Sequence, residues 1–105
     1  MTRISLEEAI KITERAWDEK LDKYGLPSDG MIRYIVHRIE PGHFLTKLLE
    51  NDLVGAFARA DDQNSHRMKQ WASFLYNEMP VRSMKHMWGS PEIVKEWLEN
   101  KDGTV

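Results

Sequence analysis

Residues 5–24 read SLEEAIKITERAWDEKLDKY, and this stretch carries the clearest structural signal in the chain. Ser5 and Glu8 form a capping box, in which the serine side chain accepts from an early backbone amide and the glutamate reaches back. Gly25 and Pro27 then supply a stop. The apolar residues between these signals recur at helical spacing: Leu6, Ala9, Ile10, Trp17, Leu21 and Tyr24. The stretch predicts one long amphipathic helix.

A second helix is predicted over residues 29–39, with Ser28 as its N-cap. Its apolar stripe consists of Ile32, Ile35, Val36 and Ile39. The β-branched content would also suit a strand, but a spacing of three, one and three residues favours a helix. Pro41 and Gly42 then break the chain.

Residues 43–60 carry two further apolar stripes. The first comprises Phe44, Leu45, Leu48 and Leu49, and the second comprises Leu53, Ala56, Phe57 and Ala60. Asn51 and Asp52 lie between the stripes, and either residue could cap the second one. The sequence leaves open whether this region forms one bent helix or two.

Residues 63–79 are predicted to form another helix, capped by Asp61 or Asp62 and ended by Pro80. Its expected apolar face comprises Met68, Trp71, Ala72, Leu75 and Met79. Residues 81–88 show no regular period. Ser90 and Pro91 are a strong helix start, with the serine as cap and the proline in the first turn. The last helix is expected to bury Ile93, Val94, Trp97 and Leu98.

These elements predict an all-α fold, a compact irregular bundle of five to six short helices. The 105 residues are expected to form a single helical domain, with a frayed tail at residues 100–105. Apolar residues make up 41% and charged residues 30%, a balance typical of folded proteins.

Several classes of protein are disfavoured by composition. The chain has no cysteine, which excludes disulfides and thiolate metal sites and fits a reducing, cytoplasmic setting. Charged residues interrupt the amino-terminal apolar residues, so no signal peptide is expected. No apolar run approaches the roughly 20 residues that span a bilayer, so no membrane insertion is expected. A formal net charge of −2 is unlike that of a general nucleic-acid binder.

Catalytic and metal-binding patterns are also missing. Ser5, Ser28 and Ser90 are each explained as helix caps, and no serine lies in a G-x-S-x-G context. The four histidines are dispersed, without the spacing that places two imidazoles on one helix face: His37, His43, His66 and His86. We therefore expect a protein that is not an enzyme and holds no cofactor or metal.

Basic residues near Gly42 suggest a pocket for a nucleotide or another phosphate ligand, since helix amino termini favour anions. The candidate ligand-binding residues are Arg33, His37, Arg38 and Lys47, with His43 nearby. The alternative interpretation is a solvated polar helix face.

A DNA-binding interpretation rests on residues 53–60, a short turn and residues 64–70, which superficially resemble a helix-turn-helix. Asn64, Arg67, Lys69 and Gln70 are of the types that read base edges or contact phosphates. Asp61 and Asp62 would lie close to the polyanion, and the turn lacks the usual glycine, which both weigh against this interpretation.

The segment before the last helix favours a protein-binding surface, because flexible methionines and a tryptophan lie beside basic groups. The candidate contact residues are Arg82, Met84, Lys85, Met87 and Trp88. The alternative is that Trp88 and one methionine pack onto the core. Apolar residues not needed for the core, such as Phe74, Tyr76 and Trp88, could support a homodimer.

A set of short motifs extends across much of the chain. They are Arg33-Tyr34-Ile35, Pro41-Gly42-His43-Phe44-Leu45-Thr46, Asn51-Asp52-Leu53, Ala60-Asp61-Asp62-Gln63-Asn64, Phe74-Leu75-Tyr76-Asn77 and Trp88-Gly89-Ser90-Pro91-Glu92, followed by Trp97. Over about residues 24–99 this pattern resembles a group of short, uncharacterised proteins encoded by bacteriophages and prophages. The resemblance implies a binding role toward a host protein or complex, such as that of an anti-CRISPR or another counter-defence inhibitor. A sponge for nucleotide signals is an alternative.

Overall fold

The computed structural model describes residues 5–79 and 87–99, and every regular element in those ranges is an α-helix. The helices are α1 (Leu6–Lys23), α2 (Asp29–His37), α3 (His43–Leu49), α4 (Leu53–Arg59), α5 (Asp62–His66), α6 (Met68–Glu78) and α7 (Pro91–Glu99). The predicted all-helical fold is confirmed. The predicted frayed tail lies outside the described residues.

The amino-terminal cap of α1 agrees with the prediction, whereas the cap and the carboxyl end of α2 differ from it. The Ser5 hydroxyl accepts from the Glu8 amide at 3.1 Å, as the capping box predicts. Ser28 occupies the N-cap position of α2, but its side chain makes no capping hydrogen bond. The second helix ends two residues earlier than predicted because Arg38 adopts a left-handed conformation with φ 55°. The Ile39 amide then donates back to the Arg33 carbonyl at 3.1 Å, which closes the carboxyl end of the helix.

Residues 43–60 form two helices, α3 and α4, which resolves the alternative left open by the sequence. Asn51 is left-handed, with φ 65°, and turns the chain between them. The Asp52 carboxylate then caps α4 by accepting from the Gly55 amide at 2.8 Å.

The helix predicted over residues 63–79 is divided at Arg67, which raises the number of described helices from the expected five or six to seven. Arg67 has φ −99° and ψ 8°, and its amide is shared between the carbonyls of Gln63 and Asn64, each at 3.1 Å. The Trp71 indole donates to the Asn64 side chain at 3.2 Å and ties α5 to α6.

The core is built around Phe74 on α6, which is completely buried. Its ring makes edge contacts with Tyr24, Trp17 and Trp71, at centroid distances of 5.8, 6.1 and 6.5 Å. The other large side chains that are fully buried are Trp71, Tyr34, Leu21, Met31, Leu49 and Met79. The prediction that Phe74 is free for a dimer contact is therefore wrong, because this ring joins α1 to α6.

Within residues 5–79 and 87–99, each helix is either too short or too polar to cross the hydrocarbon interior of a bilayer.

Candidate functional site

Helix α4 turns most of its large apolar side chains toward solvent. Leu53, Val54 and Phe57 are 57%, 80% and 48% exposed, and Ala56 is the buried residue of this helix. The predicted stripe is therefore only partly right: Ala56 is buried and Ala60 packs against the core, whereas Leu53 and Phe57 are exposed. Since α4 lies closely beside α3, a small residue at position 56 fits the contact between the two helices.

An apolar groove of about 440 Å³ lies between α4 and α6, and we call it the α4–α6 groove. Its apolar lining comprises Leu48, Leu53, Ala72, Leu75, Tyr76 and Trp88. Leu48 and Leu75 are buried and form its floor, whereas Tyr76 is 79% exposed and stands at its edge. Asn51, Ser73 and Asn77 add neutral polar groups. No charged side chain is among the described residues that line this groove.

Helical geometry separates the α4–α6 groove from the core. Ala72 and Tyr76 each lie two positions from Phe74, which places them about 160° around α6 from that ring. Phe74 therefore enters the core while Tyr76 points away from it. The prediction that Ala72 belongs to the buried face is wrong, since Ala72 is exposed and lines the groove.

The segment at Met87–Gly89 is fixed to the body by three hydrogen bonds. The buried Tyr34 hydroxyl donates to the Met87 carbonyl at 2.5 Å, the Trp88 indole donates to the Met79 carbonyl, and the Gly89 amide donates to the Leu49 carbonyl at 2.8 Å. Burial raises the pKa of Tyr34, which keeps its hydroxyl protonated as a donor.

The predicted protein-contact residues therefore divide into two groups. Met87 and Trp88 pack against the core, as the alternative interpretation expected, and Trp88 also lines the α4–α6 groove. Arg82, Met84 and Lys85 lie outside the described residues.

The four predicted ligand-binding residues have different neighbours. His37 lies 2.7 Å from the Glu14 carboxylate on α1, and Lys47 lies 3.5 Å from the Glu50 carboxylate. Arg38 is buried, with its guanidinium 3.9 Å from the centre of the Trp97 ring. Arg33 is exposed and lines a separate depression between α1 and α2. Arg38 and Lys47 are not among the described residues that line that depression.

That depression measures about 660 Å³ and mixes charges of both signs. Glu14, Asp18 and Asp29 lie beside Arg15 and Arg33 there, so the arginines face carboxylates as well as solvent. This mixture is a poor match for an anionic ligand.

The predicted DNA-reading residues are divided by the break at Arg67. Asn64 belongs to α5 and uses its side-chain oxygen to hold Trp71, whereas Lys69 and Gln70 are exposed on α6. The continuous second helix that a helix-turn-helix needs is not formed, because residues 64–70 span two helices.

Among the described residues, no group of three or more histidine, aspartate or glutamate side chains is placed to hold a metal ion. Comparison with protein families, with curated proteins and with solved structures finds no match to this chain.

Proposed function

We propose that this chain is a non-enzymatic, phage-type protein that binds a host protein in the cytoplasm, with the α4–α6 groove as its contact surface. The role that fits best is inhibition of a host defence system. The observation that carries the proposal is the exposure of Leu53 and Tyr76 at one apolar groove, beside an α4 whose Val54 and Phe57 are also exposed. Exposed apolar patches of this kind mark interaction sites in small proteins.

The chemistry of the groove favours a protein partner over a polyanion. Its apolar floor suits aliphatic or aromatic anchor side chains, which supply most of the binding energy in protein interfaces. Asn51, Ser73 and Asn77 can exchange hydrogen bonds with the rim of such a partner. Because the described lining carries no charge, we expect the groove to accept the apolar face of an amphipathic helix.

The predicted contacts Arg82, Met84 and Lys85 remain part of the proposal, since they precede the groove residue Trp88 by three to six positions in the chain. As basic groups, Arg82 and Lys85 would influence association rate more than affinity.

The test compares two variants with equal changes in charge. In the groove variant, Leu53→Glu and Tyr76→Glu place carboxylates in the apolar surface. In the control variant, Gln63→Glu and Gln70→Glu add the same charge at exposed positions on α5 and α6. Immobilised wild type, groove variant and control are incubated with host lysate, and the captured proteins are identified by mass spectrometry.

The proposal predicts a host protein that is retained by the wild type and the control but not by the groove variant. With that protein purified, the affinity should change little when salt is raised about tenfold, because an apolar contact is weakly screened. Retention of the same proteins by all three baits would contradict the proposal. Binding that falls steeply with salt would favour DNA or a charged ligand instead.

A further inference from the structure

Residues 87–99, which we call the strap, are attached at the carboxyl ends of three other helices. The strap supplies the donors and the helix ends supply main-chain carbonyls, in the pairs Trp97 with Tyr34 of α2, Gly89 with Leu49 of α3 and Trp88 with Met79 directly after α6. Carbonyls in the last turn of a helix have few partners within the helix, so water donates to them wherever no other donor is supplied. Water can therefore replace the strap at all three helix ends.

Trp97 anchors α7 to the end of α2. The centre of its ring lies 3.9 Å from the guanidinium carbon of Arg38 and 6.4 Å from the centre of the Tyr34 ring. The Tyr34 hydroxyl also donates to the Met87 carbonyl at 2.5 Å, so one residue of α2 contacts both ends of the strap. These attachments are hydrogen bonds and ring contacts, each of which makes a modest net contribution to stability.

The strap contributes little to the centre of the core. Among the buried apolar side chains that the structure describes, Val94 is the one that belongs to the strap. The other apolar side chains of the strap that pack against the core are only partly buried: Met87, Trp88, Trp97 and Leu98. The described rings that contact Phe74 come from Trp17, Tyr24 and Trp71, all of which precede the strap. Helices α1 to α6 therefore keep the centre of their core when the strap is released.

We propose that the strap opens as a unit while α1 to α6 stay folded, and that its position controls the shape of the α4–α6 groove. Parts of a protein with few buried apolar contacts open at a lower free energy than the whole domain unfolds. Trp88 belongs to the strap and lines the groove, so opening removes one wall of the groove. Opening also uncovers Tyr34, whose ring and hydroxyl both contact the strap.

This opening is a property of the free chain and does not depend on the proposed function. Its consequence for that function is that the α4–α6 groove has two shapes, with Trp88 in place and with Trp88 withdrawn. A protein that binds one shape more tightly than the other would shift the strap toward that position.

Native-state hydrogen exchange of the purified chain, followed by NMR in urea below the unfolding transition, tests the proposal. The reporters for the strap are the Gly89 and Val94 amides and the Trp97 indole, which donate to the carbonyls of Leu49, Ser90 and Tyr34. The reporter for the body is the Trp71 amide, which donates to the Arg67 carbonyl. We expect the strap reporters to be protected at least about tenfold less than Trp71, with one common and smaller dependence on urea.

Two variants separate opening of the strap from unfolding of the whole chain. Phe74→Leu weakens the body, which is intact in the open state. It should lower the protection of the Trp71 amide by about tenfold and leave the strap reporters unchanged. Arg38→Met removes the cation from the Trp97 ring, a contact that is absent from both the open and the unfolded chain. It should lower the protection of strap and body reporters by the same factor, about three- to thirtyfold.

Three results would overturn the inference. The first is a wild type in which strap and body reporters have equal protection and equal urea dependence, which means that the strap opens only when the chain unfolds. The second is a set of strap reporters that differ among themselves in urea dependence, which indicates fraying and not a unit. The third is a loss of strap protection in Phe74→Leu equal to that of Trp71. These measurements use no host protein, so the proposed function and this inference can fail separately.

Discussion

The two faces of α6 use similar side chains for opposite purposes. On one face Phe74 is completely buried among aromatic rings from α6, from α1 and from the residue after α1, and Glu78 accepts hydrogen bonds from the same end of α1. On the other face Tyr76 is exposed beside Leu53 at the α4–α6 groove. By residue type alone, either of these two aromatic side chains could belong to a core. The direction in which each face of α6 points therefore decides whether its aromatic side chain is buried or exposed to solvent.

The largest expected effect comes from substituting the two aromatic residues of α6 in parallel. Phe74→Ala should lower the free energy of unfolding by about 3–5 kcal/mol, because it opens a cavity where four aromatic rings meet. Tyr76→Ala should change it by less than about 0.5 kcal/mol, as expected for an exposed residue. Urea denaturation measures the free energy of unfolding of both variants. Equal losses in the two variants would contradict the distinction between a buried and an exposed face of α6.

Tyrosine hydroxyls offer a finer version of the same comparison. Tyr34→Phe should cost about 1–2 kcal/mol, since it removes the donor to the Met87 carbonyl. Tyr76→Phe, at an exposed ring, serves as the control and should be nearly neutral. Chemical denaturation of the two variants measures both changes in stability. A neutral Tyr34→Phe would mean that this hydrogen bond does not hold the Met87–Gly89 segment.

Gly55 on α4 should tolerate alanine poorly, although alanine favours helices. A β-carbon at position 55 would lie 2.4 Å from a carboxylate oxygen of Asp52, the residue that caps this helix. We expect Gly55→Ala to cost about 1 kcal/mol by displacing the cap.

The control for Gly55 is the same substitution in an Asp52→Ala background, where the obstructing carboxylate is absent. There Gly55→Ala should be neutral or stabilising. Additive losses in the double variant, measured by thermal unfolding, would show that the cap is not the cause.

The smallest expected effect is a pH dependence of stability that arises from Glu78, on the buried face of α6. The hydrogen bond from Tyr24 and, more weakly, that from Lys23 hold the pKa of Glu78 below its ordinary value of 4.5, while burial opposes them. A carboxyl whose pKa is lower in the folded state stabilises the protein above its unfolded pKa and loses that contribution as pH falls through the folded value.

Glu78→Gln should accordingly lower the melting temperature slightly at neutral pH, and the difference from wild type should shrink below about pH 4.5. Glu19→Gln, at an exposed position on α1, is the control and should show no such trend. A difference that stays constant down to pH 2–3 (about two units below the ordinary value) would contradict the assignment.

Local signals predicted the helices well where caps are encoded by neighbouring residues. Ser5 caps α1 and the Ser90 hydroxyl accepts from the Ile93 amide at 3.2 Å, as expected, and Asp52, one of the two candidates, caps α4. Two boundaries were missed, at Arg38 and Arg67, because a non-glycine residue ends or interrupts a helix there. Both residues are arginines, and arginine has no preference for a left-handed or helix-ending conformation that the sequence could have shown.

The candidate site was harder to predict than the fold. A stripe shows which side chains share a helix face, but not whether that face meets another helix. Phe74 and Ala72 were assigned to the wrong sides for this reason. One signal was available: α4 has only seven residues, and Leu53, Val54 and Phe57 cover more of its circumference than one core contact can bury.

We propose that the apolar residues lining the α4–α6 groove serve binding and not folding. The most direct test measures both properties on one variant, Leu53→Ala with Tyr76→Ala, by urea denaturation and by capture of host proteins. We expect a free energy of unfolding within about 1 kcal/mol of wild type, together with loss of a host protein that wild type retains. A variant that unfolds readily, or one that still retains every captured protein, would contradict it.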